Sequence, residues 1–325
     1  MTGVTVGAEP VATTDLLILG GGPAGLTAAI YAARAGVKTL VLERQMTGGQ
    51  IATSERVENF PGFPDGVGGM ELLELFKQQA LHFGAEIREI EEAEDFVPGA
   101  PHRVVTGSGT YGGHAVIIAT GLDPQGLGCD GEDRFRGRGV SYCATCDGAF
   151  FRDRTVAVVG GGNSAVEEAL FLTRFARKVY LIHRRDKLRA DFVLQKRALE
   201  NPKIEALWTA QVREVRGEDK VEAVLVDFAD RQETREIPVD GVFLYVGQRP
   251  NTGFVKEVLQ MDQSGFIMTT HLLATNLAGV YAAGDCRFNP MKQVVWAAAE
   301  GALAAQQAGK YLEEAGVCRL DVEHD

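Results

Sequence analysis

The sequence predicts an α/β protein of two Rossmann-like, doubly wound units, the second inserted in the first. Three observations predict it. The stretch Leu16–Arg44, LLILGGGPAGLTAAIYAARAGVKTLVLER, returns without a gap as Val156–Arg184, VAVVGGGNSAVEEALFLTRFARKVYLIHR. Each copy reads as a short apolar strand, a glycine-rich turn, a helix and a second strand, which is half of a parallel doubly wound sheet. The second copy starts near mid-chain, and more apolar strand-like segments follow it.

Length and composition agree. A chain of 325 residues suggests about two domains at roughly 100–200 residues each. Apolar residues at 45% and charged residues at 24% exclude disorder over most of the length. With 33 basic and 44 acidic residues the net charge is −11, which argues against nucleic acid or an acidic membrane as partner. The 39 glycines suggest sharp turns and close backbone approaches to ligands. Leu16–Ala33 is uncharged and mostly apolar, near the lower limit for a membrane span. Gly20–Pro23 interrupts it, so strand, turn and helix explain it better. Met1–Thr14 has no Lys or Arg and no apolar core, which argues against a secretory signal.

The first glycine turn is Gly20-x-Gly22-x-x-Gly25, with Pro23 and Ala24 inside it; the second is Gly160-x-Gly162-x-x-Ala165, with Asn163 and Ser164. The first Gly permits the tight turn, the second lets backbone approach a pyrophosphate, and the third position must be small for helix–strand packing. The helix N-terminus then offers unpaired N–H groups to the phosphates. The copies differ at the end of their second strand. Glu43 there suits a ribose 2′-OH, so the first site expects FAD or NAD. The second copy has His183, followed by Arg184, Arg185, Lys187 and Arg189. That cluster would pair with a 2′-phosphate and points to NADP.

The rest follows in order. Met70–Phe83 has helical spacing at Met70, Leu73, Phe76 and Ala80. Val116–Ala119 reads as a buried strand, Glu205–Asp227 as a hairpin or meander turning near Gly217, and Gly241–Val246 and Gly279–Ala283 as strands. Val294–Tyr311 reads as an alanine-rich helix, and the last dozen residues as a polar, frayed end. The expected division is a discontinuous first domain, 1–117 and 248–325, with an inserted domain at 118–247. Linkers near Gly121–Pro124 and Gly247–Pro250 would act as a hinge.

Five cysteines are too few for a disulfide scaffold and fit a reducing cytoplasm. Cys143 and Cys146 form a C-x-x-C. Zinc would need two more ligands at a suitable spacing, and the sequence has none, so no metal is expected. A redox dithiol fits a chain with two dinucleotide sites. Asp147 follows directly, and it reads equally as a proton shuttle or as a helix-start cap. Phe150 and Phe151 suit an apolar contact with a partner or a place in the core.

These motifs together resemble the low-molecular-weight, bacterial-type thioredoxin reductases, from Asp15 to about Tyr311. They are GGGPAG at 20–25, GGQ at 48–50, VENFPG at 57–62, CATCDG at 143–148, GGGNSA at 160–165, HRR at 183–185 and AAGD at 282–285. The resemblance implies FAD on the first glycine loop, Glu43, Arg44, Gly49, Gln50 and Asn59, with Asp285 on the ribityl chain and Gln293 and Val294 near the ring. It implies NADPH on Gly160–Ala165 and His183, with Arg184, Arg185 and Arg189 on the 2′-phosphate. It places a Cys143–Cys146 disulfide against the flavin, with Asp147 as acid. It implies a homodimer whose NADPH domain rotates, and thioredoxin as protein substrate. Departures include Cys129-Asp130 for an Ile-Pro, Lys292-Gln293-Val294 for an Arg-Gln-Ala, and Ala299 for a glycine. Cys286 and Cys318 are expected to be inert. The alternative is a small-molecule dithiol oxidase or disulfide reductase of the same fold, against which the His183–Arg189 cluster counts.

Overall fold

A computed structural model describes residues 12–54, 57 and 59–318. Most of the N-terminal stretch and the last seven residues therefore lie outside the described residues. Strand β1 (Ala12–Leu19) runs into helix α1 (Pro23–Arg34) and β2 (Thr39–Glu43); α2 (Gly69–His82), β3 (Glu86–Glu89), β4 (Asp95–Val97), β5 (His102–Thr106) and β6 (Gly109–Ile118) follow. Next come β7 (Leu122–Pro124), β8 (Val140–Ser141), the one-turn helix α3 (Ala144–Asp147), β9 (Thr155–Gly160), α4 (Asn163–Leu172), β10 (Lys178–Ile182), α5 (Phe192–Leu199) and β11 (Ile204–Leu207). The chain closes with β12 (Ala210–Arg216), β13 (Ala223–Phe228), β14 (Glu233–Pro238), β15 (Gly241–Tyr245), β16 (Gln248–Pro250), β17 (Val280–Ala282) and α6 (Val294–Glu314).

Two compact units result. Of the described residues, one gathers those up to Thr53, Phe60–Asp123 and those from Arg249; the other holds residues 54, 57 and 59 and Pro124–Gln248. The first boundary falls beyond residue 117 because β6 continues to Ile118, where both β1 and β17 still pair with it. The two connections pair with each other as β7 and β16.

The sheet of the first unit has the order β3-β2-β1-β6-β5-β4, with β17 also on β6. Its central members β1, β2 and β6 are parallel. Leu16–Leu19 are fully buried, as an apolar run covered on both faces must be. β5 pairs antiparallel with the first half of the ten-residue β6 and β17 pairs parallel with its end. Helices α1 and α6 carry alanine and glycine at their crossing, where Gly301 sits so close to Ala24 that a Cβ would fall 2.1 Å from its carbonyl oxygen. On α2 the buried residues are Gly69, Leu72, Leu73 and Ala80. Met70 is exposed, so the expected stripe is displaced by two residues at its start.

The second unit repeats the plan with a parallel sheet, β11-β10-β9-β15-β8, and adds the antiparallel meander β12-β13-β14. Ile204–Leu207 pairs parallel with β10, so the expected hairpin is shorter than Glu205–Asp227 and lies in β12 and β13. The short period-two pattern fits an edge strand as well as a hairpin arm, and only the partner decides.

Candidate functional site

The first cradle starts at Gly20. Its φ of +107° is left-handed, and an added Cβ would meet the Ala119 carbonyl. Gly25 lies against Gly20, where a Cβ would fall 1.8 Å from the Gly20 oxygen. Gly22 faces open space, with only the Gly49 Cα at 4.0 Å from an added Cβ. No side chain caps α1, Pro23 stands in its first turn and no acidic residue lies there, so its remaining amides are available to an anion.

Glu43 is buried. Its carboxylate accepts the Gly21 N–H at 2.6 Å and the Gln45 N–H at 2.9 Å, so it braces the loop as well as ending β2. Arg44 is tied to Asp123 by two bonds of 2.9 and 3.0 Å. Gln50 donates its side-chain amide to the Leu122 carbonyl. Asn59 falls in the segment that groups with the second unit.

Asp285 stands in the short turn after β17, and its Oδ1 is buried without a hydrogen-bond partner. Burial pushes its carboxyl up, opposed chiefly by the Lys292 charge. Gly284 holds the turn against α1, since its Cβ would meet the Ala24 Cβ at 2.9 Å. Glu300, unmarked by sequence reasoning, is buried and organises this corner. It accepts the Gly284 N–H at 2.7 Å, the Trp296 indole N–H at 2.7 Å and the Arg287 guanidinium. Gln293 caps α6 in extended conformation and Val294 is its first residue. A helix N-terminus, an open glycine face and an orphaned buried carboxylate oxygen are what a dinucleotide with a polyol chain requires, so the residues present fit FAD.

The second cradle repeats the first. Ala165 packs on Gly160, whose Cβ would lie 2.6 Å from the Ala165 Cβ, and Gly162 faces open space. No side chain caps α4. Asn163 exchanges two hydrogen bonds with Asp191, at 3.0 and 2.8 Å, while Ser164 is exposed. His183 is buried beneath the loop: a Cβ on Gly161 would fall 2.3–2.6 Å from its ring. Burial lowers its pKa, and the charges of Arg189, Arg185 and Arg184 add to this. Arg184, Arg185, Lys187 and Arg189 are all exposed. Arg184 also lines a pocket of about 320 Å³ with Thr209, Gln211, Arg213 and Phe228.

The third feature is the cysteine turn. Cys143 and Cys146 are joined in a disulfide with Cα atoms 5.3 Å apart. Cys143 itself is the N-cap of α3, and its sulfur accepts the Cys146 N–H at 3.2 Å. Asp147 is the last residue of that turn and does not cap its start, which removes the capping alternative at this helix. The Ser141 hydroxyl donates to the Asp147 carboxylate at 2.6 Å and accepts the Cys143 N–H at 3.1 Å. The Tyr245 hydroxyl oxygen accepts the Ala144 N–H at 2.6 Å. Nothing in the sequence marked Ser141 or Tyr245, because each reaches the motif through the fold. Phe150 is exposed, whereas Phe151 packs edge-on to Phe243 at 5.2 Å. Burial pushes the other thiols up, Cys129 and Cys286 each to about 11, and raises Cys318 too. Among the described residues no cluster of His, Cys, Asp or Glu could hold a metal.

Over residues 14–301 the chain matches the family described as pyridine nucleotide-disulphide oxidoreductase. It is 46% identical over 307 residues to a thioredoxin reductase of Listeria monocytogenes, covering 92% of this chain and 94% of that one. It is 45% identical over 303 residues to the thioredoxin reductase of Bacillus subtilis, covering 92% and 95%. The crystal structure of thioredoxin reductase from Streptococcus pyogenes superposes with a TM-score of 0.87 at 41% identity, covering 93% of this chain and 99% of that one.

Proposed function

Because the chain belongs to the pyridine nucleotide-disulphide oxidoreductase family, among the thioredoxin reductases, we propose that it reduces thioredoxin with electrons from NADPH. They pass by way of FAD and the Cys143–Cys146 disulfide. The observation that carries this reading is the disulfide itself, closed within one helical turn of a unit that also holds a dinucleotide cradle.

FAD, when bound, supplies two-electron transfer between a nicotinamide and a disulfide. Gly20–Gly25 and the amides of α1 would hold its pyrophosphate. Glu43 would accept the ribose hydroxyl with the lone pairs its two loop bonds leave free. Asp285 would take the ribityl hydroxyls, and Gln293 and Val294 would stand beside the ring. Gly49 borders the space that Gly22 opens. Gln50 and Asn59 complete the FAD set expected from the motifs, whereas Arg44 serves through Asp123. Gly160–Ala165 would receive NADPH, with Arg184, Arg185 and Arg189 on the 2′-phosphate, His183 supporting the loop and Asn163 tying it to Asp191.

Opening the disulfide to one thiol and one thiolate consumes two electrons and one proton. The thiolate attacks the disulfide of thioredoxin and displaces one of its sulfurs. The remaining thiol then gives up its proton, attacks the mixed disulfide and restores Cys143–Cys146. Asp147, held by Ser141 next to the pair, is the carboxyl placed to carry that proton.

A homodimer in the cytoplasm is the setting that this chemistry and the sparse cysteines support. None of the described helices is long and apolar enough to cross a membrane. The test is anaerobic titration of the purified protein with NADPH, followed by oxidised thioredoxin. The flavin colour should bleach and then return as thioredoxin is reduced. A colourless protein, or a bleached one that thioredoxin cannot reoxidise, would refute the reading.

A further inference from the structure

Tyr245 ends β15 and meets the first amide inside the cysteine turn, Ala144 N–H, at 2.6 Å. A phenol oxygen that accepts one bond still has its own proton to donate. Glu168 on α4 is coupled to it electrostatically. It stands on the helix stripe of Ala165, Ala169 and Leu172, residues that share one core with Ala144. At the far end of the turn a Cβ on Gly148 would meet Leu172 at 3.1 Å, so α4 backs the whole motif. The Oε2 of Glu168 is buried and has no hydrogen-bond partner, an arrangement that costs stability when the carboxyl is charged.

We propose that Glu168, through its buried carboxylate oxygen, is a proton-holding group behind the Cys143–Cys146 turn that Tyr245 positions. Glu168 takes up a proton when the disulfide is reduced. The inference rests on the reading of the chain as a thioredoxin reductase.

The balance is simple. Two electrons from NADPH and one proton break the S–S bond into a thiol and a thiolate. The new negative charge disfavours a second one nearby, so a solvent proton settles on Glu168 and leaves again when thioredoxin reoxidises the pair. Glu168 is poised for this, because burial and then its neighbour Glu167 push its carboxyl up to about 7 in the disulfide form. Two further ionisable groups act on Glu168 and Tyr245: Glu167 on the same helix and Asp147 on α3. β9 brings none, Arg197 on α5 is exposed, and the lysines of β10 and α5 are paired elsewhere, Lys178 with Glu205 and Lys196 with Glu200.

The test is the equilibrium of the holoprotein with reduced and oxidised dithiothreitol on either side of pH 7. Alkylation and mass measurement give the fraction of Cys143 and Cys146 that is reduced. Above pH 7 the wild-type equilibrium constant for reduction should rise with pH less steeply than that of Glu168→Gln, by up to tenfold per pH unit, a difference of about 30 mV for a two-electron couple. Below pH 7 the two should run parallel. Glu168→Asp should restore the break, and Tyr245→Phe, which replaces a polar hydroxyl electrostatically coupled to Glu168 by an apolar edge, should move it to higher pH. Equal slopes in wild type and Glu168→Gln would overturn the proposal. If Glu168→Gln fails to fold, an unmoved break in Tyr245→Phe would do so. A separate arm with NADPH as reductant keeps the two readings apart. If NADPH leaves the cysteines unreduced, the electron path is wrong, while the dithiothreitol equilibrium still decides the role of Glu168.

Discussion

Replacing Arg184 and Arg185 by alanine removes two exposed guanidinium groups that follow His183 just beyond β10. Neither side chain makes an ion pair among the described residues, in contrast to Arg216, which holds both Glu214 and Glu236. A hydrogen bond to a charged group is worth about 1.5–3 kcal/mol. Solvent reaches both arginines, so the lower end applies, about 1.5 kcal/mol each. Together they amount to about 3 kcal/mol, or about 150-fold in kcat/KM for NADPH. NADH lacks the 2′-phosphate and should lose little. The assay is steady-state reduction of a disulfide dye with each cofactor, in both proteins. Added salt should weaken NADPH binding to wild type and have less effect on the double variant. Parallel losses with NADPH and NADH would refute the assignment of this cluster to the phosphate.

Other consequences concern the dithiol and its surroundings. Cys146→Ser should leave flavin reduction by NADPH intact and abolish thioredoxin reduction, which separate absorbance and insulin-precipitation assays will resolve. Phe150→Ala, at an exposed position, should raise KM for thioredoxin and leave thermal stability unchanged. Phe151→Ala should instead cost about 3 kcal/mol of stability, seen as a lower Tm, because its ring packs on Phe243 and over Gly241.

Much of this was legible because the relevant patterns are local. A parallel strand buried on both faces must be an unbroken apolar run, and Leu16–Leu19 and Val156–Val159 are such runs. The glycine turns are local as a sequence pattern, and Gly25 packs on Gly20 within its own turn, although Gly20 and Gly160 also answer distant carbonyls of Ala119 and Tyr245. Partners supplied by tertiary pairing were not legible. Arg44 meets Asp123, Tyr245 meets Ala144, and Ser141 meets Asp147, and no periodicity encodes those meetings. Glu168 reads as an ordinary polar position on a helix; only the packing of α4 against the cysteine turn makes it unusual. The same holds for Glu300, whose two oxygens serve three donors from different segments.

The two glycine loops also correct the reason for the residue that ends the second strand of each repeat. Glu43 bonds to Gly21 N–H, and a Cβ on Gly21 would lie 3.2 Å from the Glu43 Cβ. His183 lies under Gly161 in the same place. In both units this position therefore supports the middle of the glycine loop. Selection between a ribose hydroxyl and a phosphate then falls to Glu43 itself in one unit and to the exposed arginines after His183 in the other. Gly161 and His183 should therefore be energetically coupled. Gly161→Ala should destabilise the second unit, because its methyl would overlap the His183 ring, and overpacking of this kind costs about 1–3 kcal/mol. His183→Ala should remove much of that cost in the double variant, as contacting residues do not add independently. Thermal unfolding of the four proteins of the cycle measures the coupling, and KM for NADPH reports whether the loop has kept its shape. If the two substitutions are additive, the ring does not support the loop, and His183 would have to act on the cofactor directly.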